Sequence, residues 1–239
     1  MTDPLALSRA TWPPDGTDRC GPFTIPRGAG GGKRVTAAWC DAAPSAEEIT
    51  AAERAMDAAG RQALFAVTPA QGGLDRELAR RGYLALDPTL ALSAPAARLD
   101  AAPPPASGFL AWPPLRVQRD IWSEARIGPD RWAVMERAAH PKTAILGRAE
   151  DRPAGSAFVA VRDRAAMVHA VVVRPAQRRC GLGRHMMAHA ARWAKGRGAE
   201  DVVVLVTEAN EAAIGFYRGL GMAGGRCYHY RVRPRGRDE

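Results

Sequence analysis

Residues 171–184 read VVVRPAQRRCGLGR. Val171, Val172 and Val173 are strand formers, and Arg174-Pro175 breaks what they begin. Arg178-Arg179-Cys180-Gly181-Leu182-Gly183 is a glycine-bearing turn between arginines. Leu182, Met186, Ala190, Trp193 and Ala194 then recur at helical spacing in a segment that runs from Arg184 to Arg197, with Gly196 and Gly198 at its end. Val202 to Val206 is nearly all apolar, the pattern of a strand covered on both faces. Asn210 opens a further helical segment that contains Phe216 and Tyr217, runs to Leu220 and stops at Gly221. The order is strand, glycine turn, helix, strand, helix. A turn of this kind directs backbone N–H groups and arginines to one point, an arrangement suited to a phosphorylated ligand.

Working outward, Thr143 to Arg148, Gly155 to Val161 and Met167 to Val173 read as strands, the first two joined in a hairpin through Glu150-Asp151-Arg152-Pro153. Arg116 to Glu124 and Asp130 to Ala139 read as helices. Cys227 to Val232 is the last strand, and the arginine-rich tail to Glu239 is expected to be mobile. Upstream, Ala94 to Ser107, with Pro103-Pro104-Pro105, is the linker candidate. The first hundred residues read strand–helix–strand–helix–strand: Val35 to Cys40, a helix from Ser45 to about Ala59, Ala63 to Val67, Gly72 to Arg81, and Leu84 to Leu92. Ser45 and Glu48 form a capping box in the sequence. Residues up to about Pro14 read as irregular, Phe23 to Arg27 as a short strand, and Gly28 to Gly32 as a hairpin turn. Gly30-Gly31-Gly32-Lys33-Arg34 is not a P-loop, because Arg27 stands where that motif needs glycine and Arg34 where it needs Ser or Thr.

The two halves echo each other. Arg81-Gly82-Tyr83 follows one short helix as Gly219-Leu220-Gly221-Met222 ends another, but no basic glycine turn precedes the helix at Ser45. The division expected is a domain at 1–100 and a second at 101–239.

The chain has 239 residues, is 46% hydrophobic and carries a formal charge of +9, so a sizeable core and anionic partners are both expected. Its only lysines are Lys33, Lys142 and Lys195. Between Arg174 and Ala199 stand seven Arg or Lys residues and no Asp or Glu, a basic patch around the glycine turn. Cys20, Cys40, Cys180 and Cys227 are scattered without a C-x-x-C pair, which argues against zinc and redox motifs and for free thiols. His185 and His189, four apart on a helix, lack a third ligand, so no metal is expected. No apolar run long enough to cross a membrane and no signal peptide is read, so the expectation is a cytoplasmic protein, monomer or homodimer. Arginines are spread along the chain rather than interleaved with aromatics, which argues against nucleic acid.

Arg178-x-x-Gly181-x-Gly183, placed after the valine strand and before the helix, together with Asn210 and Tyr217, resembles the acetyl-CoA site of the GCN5-related N-acetyltransferases (the GNAT family) over roughly residues 108–235. The resemblance implies an α/β fold with a mixed sheet, a catalytic GNAT domain at 101–239 and a degenerate GNAT-like unit at 1–100. It implies an N-acetyltransferase that moves an acetyl group from acetyl-CoA to an amine by direct attack in a ternary complex. It further implies that the N–H groups from about Arg179 through Cys180, Gly181, Leu182 and Gly183 to Arg184 hold the CoA pyrophosphate. Arg178 and Arg179 add charge there or at the adenosine 3′-phosphate. The main chain of Val171, Val172 and Val173 would pair with the pantetheine amides. Asn210 would bond the pantetheine arm or only cap its helix. Tyr217 would be the general acid for the departing thiolate, or simply a packed aromatic. For the general base two residues stand open, His169 and Glu208. Trp112, Trp122 and Trp132 could line the acceptor cleft, with core packing as the alternative. A catalytically weak CoA-binding or regulatory module on the same fold is the second reading. The acceptor, a small-molecule or peptide amine, is not specified by sequence.

Overall fold

The computed structural model describes residues 3–28 and 30–234. In chain order the elements are α1 (Pro4–Thr11), β1 (Thr17–Cys20), β2 (Phe23–Pro26), β3 (Trp39–Cys40), α2 (Ala46–Ala58), β4 (Leu64–Val67), α3 (Gly72–Arg80), β5 (Leu84–Pro95), α4 (Ala96–Leu99), β6 (Gly108–Ala111), α5 (Arg116–Glu124), α6 (Pro129–Arg137), β7 (Lys142–Ala149), β8 (Arg152–Arg162), β9 (Ala165–Val173), α7 (Leu182–Lys195), β10 (Asp201–Thr207), α8 (Glu211–Gly219) and β11 (Ala223–Val232). Single 3-10 turns lie at Lys33–Val35 and Pro175–Gln177. Residues 235–239, the tail expected to be mobile, lie outside the described residues.

The main sheet has eight strands in the order β4-β11-β5-β10-β9-β8-β7-β6, and β1-β2-β3 form a smaller antiparallel sheet. β10 is central because its side chains suit no other place: Val202, Val203, Val204 and Val206 are all buried. It pairs antiparallel with β5 from Asp201↔Pro95 to Thr207↔Thr89. With β9 it runs parallel, but only over Asp201↔Ala165 to Val203↔Met167. Beyond Val203 the two strands part, and β9 continues to Val173 without β10 beside it.

One face of the sheet is covered by α4, α7 and α8, whose Leu99, Met186, Ala190, Trp193, Tyr217 and Leu220 share a core with Val204 and Val206. The other carries α1, α5 and α6, with Trp12, Trp122, Val134 and Met135 packed around Phe158. Trp122 is fully buried, and Trp112 and Trp132 pack against the same cluster, so the three tryptophans build core. Among the described residues no helix is long and apolar enough to cross a membrane, and all four cysteines are free.

The two halves share the sheet rather than owning one each. β5, from the first hundred residues, lies between β10 and β11; β11, from the last hundred, lies between β5 and β4. The unit β4–α3–β5 is thus related to β10–α8–β11 by an approximate twofold axis between two antiparallel neighbours, β5 and β11. Equivalent positions follow: Gln71 and Asn210 start the helices, Leu78 and Tyr217 lie one turn from their ends, and Gly82 and Gly221, with φ of +82° and +83°, close them. Each closing glycine is followed by the same hydrogen bond, Tyr83 N–H to Leu78 O at 3.0 Å and Met222 N–H to Tyr217 O at 3.1 Å.

Several elements differ from those read in the sequence. Residues 4–11 are helical, because Asp3 accepts from the N–H groups of Leu5 and Ala6 and Pro4 occupies the first helical turn, where its missing N–H costs nothing. In Val35 to Cys40 only Val35 belongs to a 3-10 turn, Ala38 forms an isolated parallel bridge with Phe65, and strand is confined to Trp39–Cys40. The Gly30–Gly32 stretch is no hairpin: Gly31 and Gly32, at φ of +86° and +92°, lead from β2 into that 3-10 turn and present Lys33 and Arg34. The 94–107 linker is shorter than read, since β5 runs to Pro95 and α4 follows directly.

Candidate active site

The gap between β9 and β10 is prepared by an irregularity in β9. Pairing with β8 slips between Ser156 and Phe158, and Ala170 takes φ +51°, a bulge. The Ala170 carbonyl oxygen accepts from Trp122 Nε1–H at 2.8 Å, which fixes the bulge from the α5 side. Past it, Val171 and Val173 pack towards α7 and α8 while Val172 packs towards Trp122. The β9 edge beyond Met167 has no strand partner on its β10 side, so main-chain groups there are open to an extended ligand.

The loop that follows is anchored at both ends. Arg174 donates to both Glu124 carboxylate oxygens, at 2.9 and 2.6 Å, and to Pro153 O at 3.0 Å. Arg178 Nε–H donates to Val173 O at 3.1 Å, which ties the loop to the end of β9 and leaves its outer guanidinium nitrogens exposed. Arg179 and Gly181 both adopt left-handed backbone, φ +68° and +86°, and Gly181 is the N-cap of α7. The alternation turns successive N–H groups inward. The N–H groups of residues 179–184 have no acceptor among the described residues; the first satisfied one is His185, donating to Gly181 O at 3.2 Å. The first turn of α7 carries no acidic residue. Gly183 serves packing rather than ligand approach: a Cβ there would stand 3.0 Å from the Phe216 ring.

α8 completes the gap. Asn210 Oδ1 accepts from Ala213 N–H at 3.2 Å and so caps the helix, with its amide NH2 unused. Tyr217 is buried in the same core as Leu182 and Val206. Burial pushes its phenol up to about 12, opposed by the positive field of Arg34. Val171, Val173, Leu182 and Tyr217 therefore share one core, with Asn210 capping the helix that carries Tyr217.

The two base candidates fare differently. Glu208 forms a two-point ion pair with Arg226, 2.6 Å from Nε to Oε1 and 3.1 Å from Nη2 to Oε2. That hydrogen bonding holds its carboxyl below the usual range, so Glu208 ties the end of β10 to β11 and is a poor proton acceptor. His169 is buried against Trp12, ring centroids 4.9 Å apart. The Thr11 hydroxyl proton goes to Leu7 O at 2.8 Å, so the 2.9 Å contact between Thr11 Oγ1 and His169 Nε2 requires the imidazole N–H to donate. Nδ1 is left as a bare lone pair, buried and without a partner. Burial, and secondarily the field of Arg34, lowers the basicity of this ring well below the ordinary value. It is an uncharged hydrogen-bond acceptor rather than a strong base.

His169 borders a cleft of about 250 Å³ that also meets Ala170 and Thr207, where β9 and β10 part. Most of its wall was not legible in the sequence: Trp12, Lys33 and Arg34 come from the first forty residues, Asp87 and Thr89 from β5, and Tyr228 and Tyr230 from β11. The only signal was the glycine run before Lys33, and it pointed to a turn, not to a cleft.

The related unit in the first half lacks this equipment. Ser45 and Glu48 close a capping box on α2, and Glu47 and Glu48 fill its first turn with negative charge. Leu78 stands at the position related to Tyr217. Among the described residues no group of three or more His, Cys, Asp or Glu gathers as a metal site; His189 instead lies 3.2 Å from Ser107 Oγ through Nε2.

A family model described as "Acetyltransferase (GNAT) family" matches residues 110–222. No curated protein matches the sequence significantly. Among solved structures, a GCN5-related N-acetyltransferase from Kribbella flavida superposes with a TM-score of 0.73 at 19% identity, over 97% of this chain and 95% of the other. A tandem GNAT protein from the clavulanic acid biosynthesis pathway gives a TM-score of 0.65 at 16% identity, over 100% and 91%. A functionally unknown conserved protein from Staphylococcus epidermidis ATCC 12228 gives 0.65 at 10% identity, over 92% and 94%. At these identities the likeness is one of fold.

Proposed function

We propose, from the premise that residues 110–222 belong to the GNAT family of acetyltransferases, that the protein moves an acetyl group from acetyl-CoA to the amine of a second substrate. The observation that carries this reading is the run of unpartnered N–H groups from Arg179 to Arg184 at the mouth of the β9–β10 gap. Arg179, Cys180, Gly181 and Arg184 are exposed, so these N–H groups are open to a ligand, and converging free donors at a helix start form a ready anion site. A pyrophosphate supplies oxygens at that spacing, and Arg179 adds charge beside it.

In this reading the pantetheine arm lies along the unpaired edge of β9, and the thioester reaches the Ala170 bulge. The amine nitrogen attacks the thioester carbon; the new N–C bond forms, the C–S bond breaks, the amine gives up one proton, and the thiolate takes one. Tyr217 meets the departing sulfur. A phenol held near 12 is a weaker acid than a thiol at about 8.5, so its main contribution is a hydrogen bond to the developing thiolate. His169 Nδ1 accepts a hydrogen bond from the incoming amine and orients it. Glu208 has no part in proton transfer. The amine reaches the carbon as free base, having lost its ammonium proton to solvent through the cleft. The cations of the wall favour this by disfavouring a further positive charge.

The weak basicity of His169 and the capture of Glu208 by Arg226 favour one other reading, a CoA-binding module with little turnover. Calorimetry with CoA and acetyl-CoA, followed by thiol release in the presence of an amine panel, separates the two. Binding with turnover supports the enzyme, binding without turnover supports the module, and absence of any CoA affinity ends both.

A further inference from the structure

The wall of the 250 Å³ cleft carries an imbalance of charge. Lys33, Arg34 and Arg131 face it together with a single carboxylate, Asp87. Asp87 is taken by Lys33, with Nζ 3.1 Å from Oδ2. Neither Arg34 nor Arg131 lies within ion-pair distance of any carboxylate among the described residues. Arg131 stands exposed in the first turn of α6. Arg34 is half-buried and fixed: its Nη2 donates to Leu205 O at 3.1 Å and its Nε to Tyr228 Oη at 3.3 Å. A partly desolvated guanidinium held rigidly with no counter-ion is expensive unless an anion completes it. His169 lines the same wall and carries a buried Nδ1 lone pair without a partner, which can accept from an N–H.

We propose that the acceptor is a small amine that also carries an anionic group, a carboxylate or phosphate, of the kind an amino acid presents. Arg34 and Arg131 take the anion, and His169 Nδ1 takes the amine at the Ala170 end of the cleft. This rests on the acetyl-transfer reading and deepens it. A polyamine or an aminoglycoside would bring further positive charge to a wall that is already positive, and the volume of about 250 Å³ lies just below the range usual for ligand pockets, about 300–1,000 Å³. The degenerate first half thereby gains a role in substrate binding, since it supplies Lys33 and Arg34.

The proposal is tested by thiol release from acetyl-CoA by the full chain with matched acceptors: free α- and β-amino acids, the same compounds as primary amides, aminoalkyl phosphates, and spermidine. Hydrogen bonds to a charged group are worth about 1.5–3 kcal/mol, so anionic acceptors should exceed their amides about tenfold or more in kcat/KM. Comparison of the carboxylate and phosphate arms identifies which anion is read. Arg131→Gln and Arg34→Gln should each raise KM for anionic acceptors and shrink the acid-to-amide ratio without changing CoA affinity by calorimetry. Arg131 is exposed, so that variant stays interpretable if Arg34→Gln fails to fold. Spermidine or amides matching the acids overturns the proposal while leaving acetyl transfer intact. So does CoA binding with no anionic amine of the panel bound or turned over. Loss of all CoA affinity in the unaltered protein sinks the underlying reading instead.

Discussion

At Tyr217 the proposed chemistry depends on a hydroxyl whose ring is otherwise an ordinary part of the core. Tyr217→Phe keeps the packing with Leu182 and Val206 and removes only the oxygen. We expect kcat to fall about 100-fold, the scale of a lost hydrogen bond to a developing charge, with CoA affinity unchanged by calorimetry. An unaltered kcat would leave Tyr217 as packing alone. His169 sets a second expectation, of stability rather than rate. Its folded value lies well below the ordinary 6.5, so below that pH the unfolded chain binds a proton the folded chain resists. The stability contributed is complete above about 6.5 and is lost as pH falls from there towards the folded value, at up to about 1.4 kcal/mol per pH unit per proton. His189, lowered by burial and by His185, acts in the same direction. Denaturant melts between pH 7 and 5 should therefore show a steep loss, and His169→Gln should flatten it; an equally steep loss in the variant would locate the effect elsewhere.

At the scale of elements, the loop and α7 work as one piece because α8 presses on the helix start. Gly183→Val would push a branched side chain into the Phe216 ring, where even a Cβ would stand at 3.0 Å. A cost of about 1–3 kcal/mol is expected from overpacking, read as a lower Tm, together with weaker CoA binding as the N–H row is displaced. The same elements show what the sequence discloses. Val202 to Val206, the Gly181–Gly183 turn and the Asn210 helix were legible because each combines a strong local signal with a strong pattern: β-branched runs, left-handed glycine, an Asx cap. The capping box at Ser45 was legible for the same reason. Helix α1 was not, being eight residues whose mixed polarity hides its buried face. β1 and β6 are short strands at sheet edges, exposed or half-buried throughout, and leave no alternation to read. The proposed acceptor cleft was invisible because its wall is assembled from Lys33, Asp87, Arg131, His169 and Tyr228, residues that only the fold brings together.

For the whole molecule, the exchanged strands decide how the halves relate. β10 loses one neighbour if β5 is absent, and β11 loses both of its neighbours, β5 and β4. Expressed separately, residues 1–100 and 101–239 should therefore each be insoluble or partly folded, since unpaired sheet edges aggregate, whereas the whole chain should unfold in one transition followed alike by far-ultraviolet circular dichroism and tryptophan fluorescence. Two well-separated transitions, or a well-folded 101–239 fragment by NMR, would contradict this.

The Pro103–Pro105 stretch crosses the surface between α4 and β6 without belonging to the sheet. Cleaved there after folding, the protein would keep its mass on a sizing column, because the backbone ladders from β5 to β10 and from β11 to β4 clasp the fragments from both sides. Only denaturant would release two pieces, and a nicked enzyme would go on turning over as though its chain were whole.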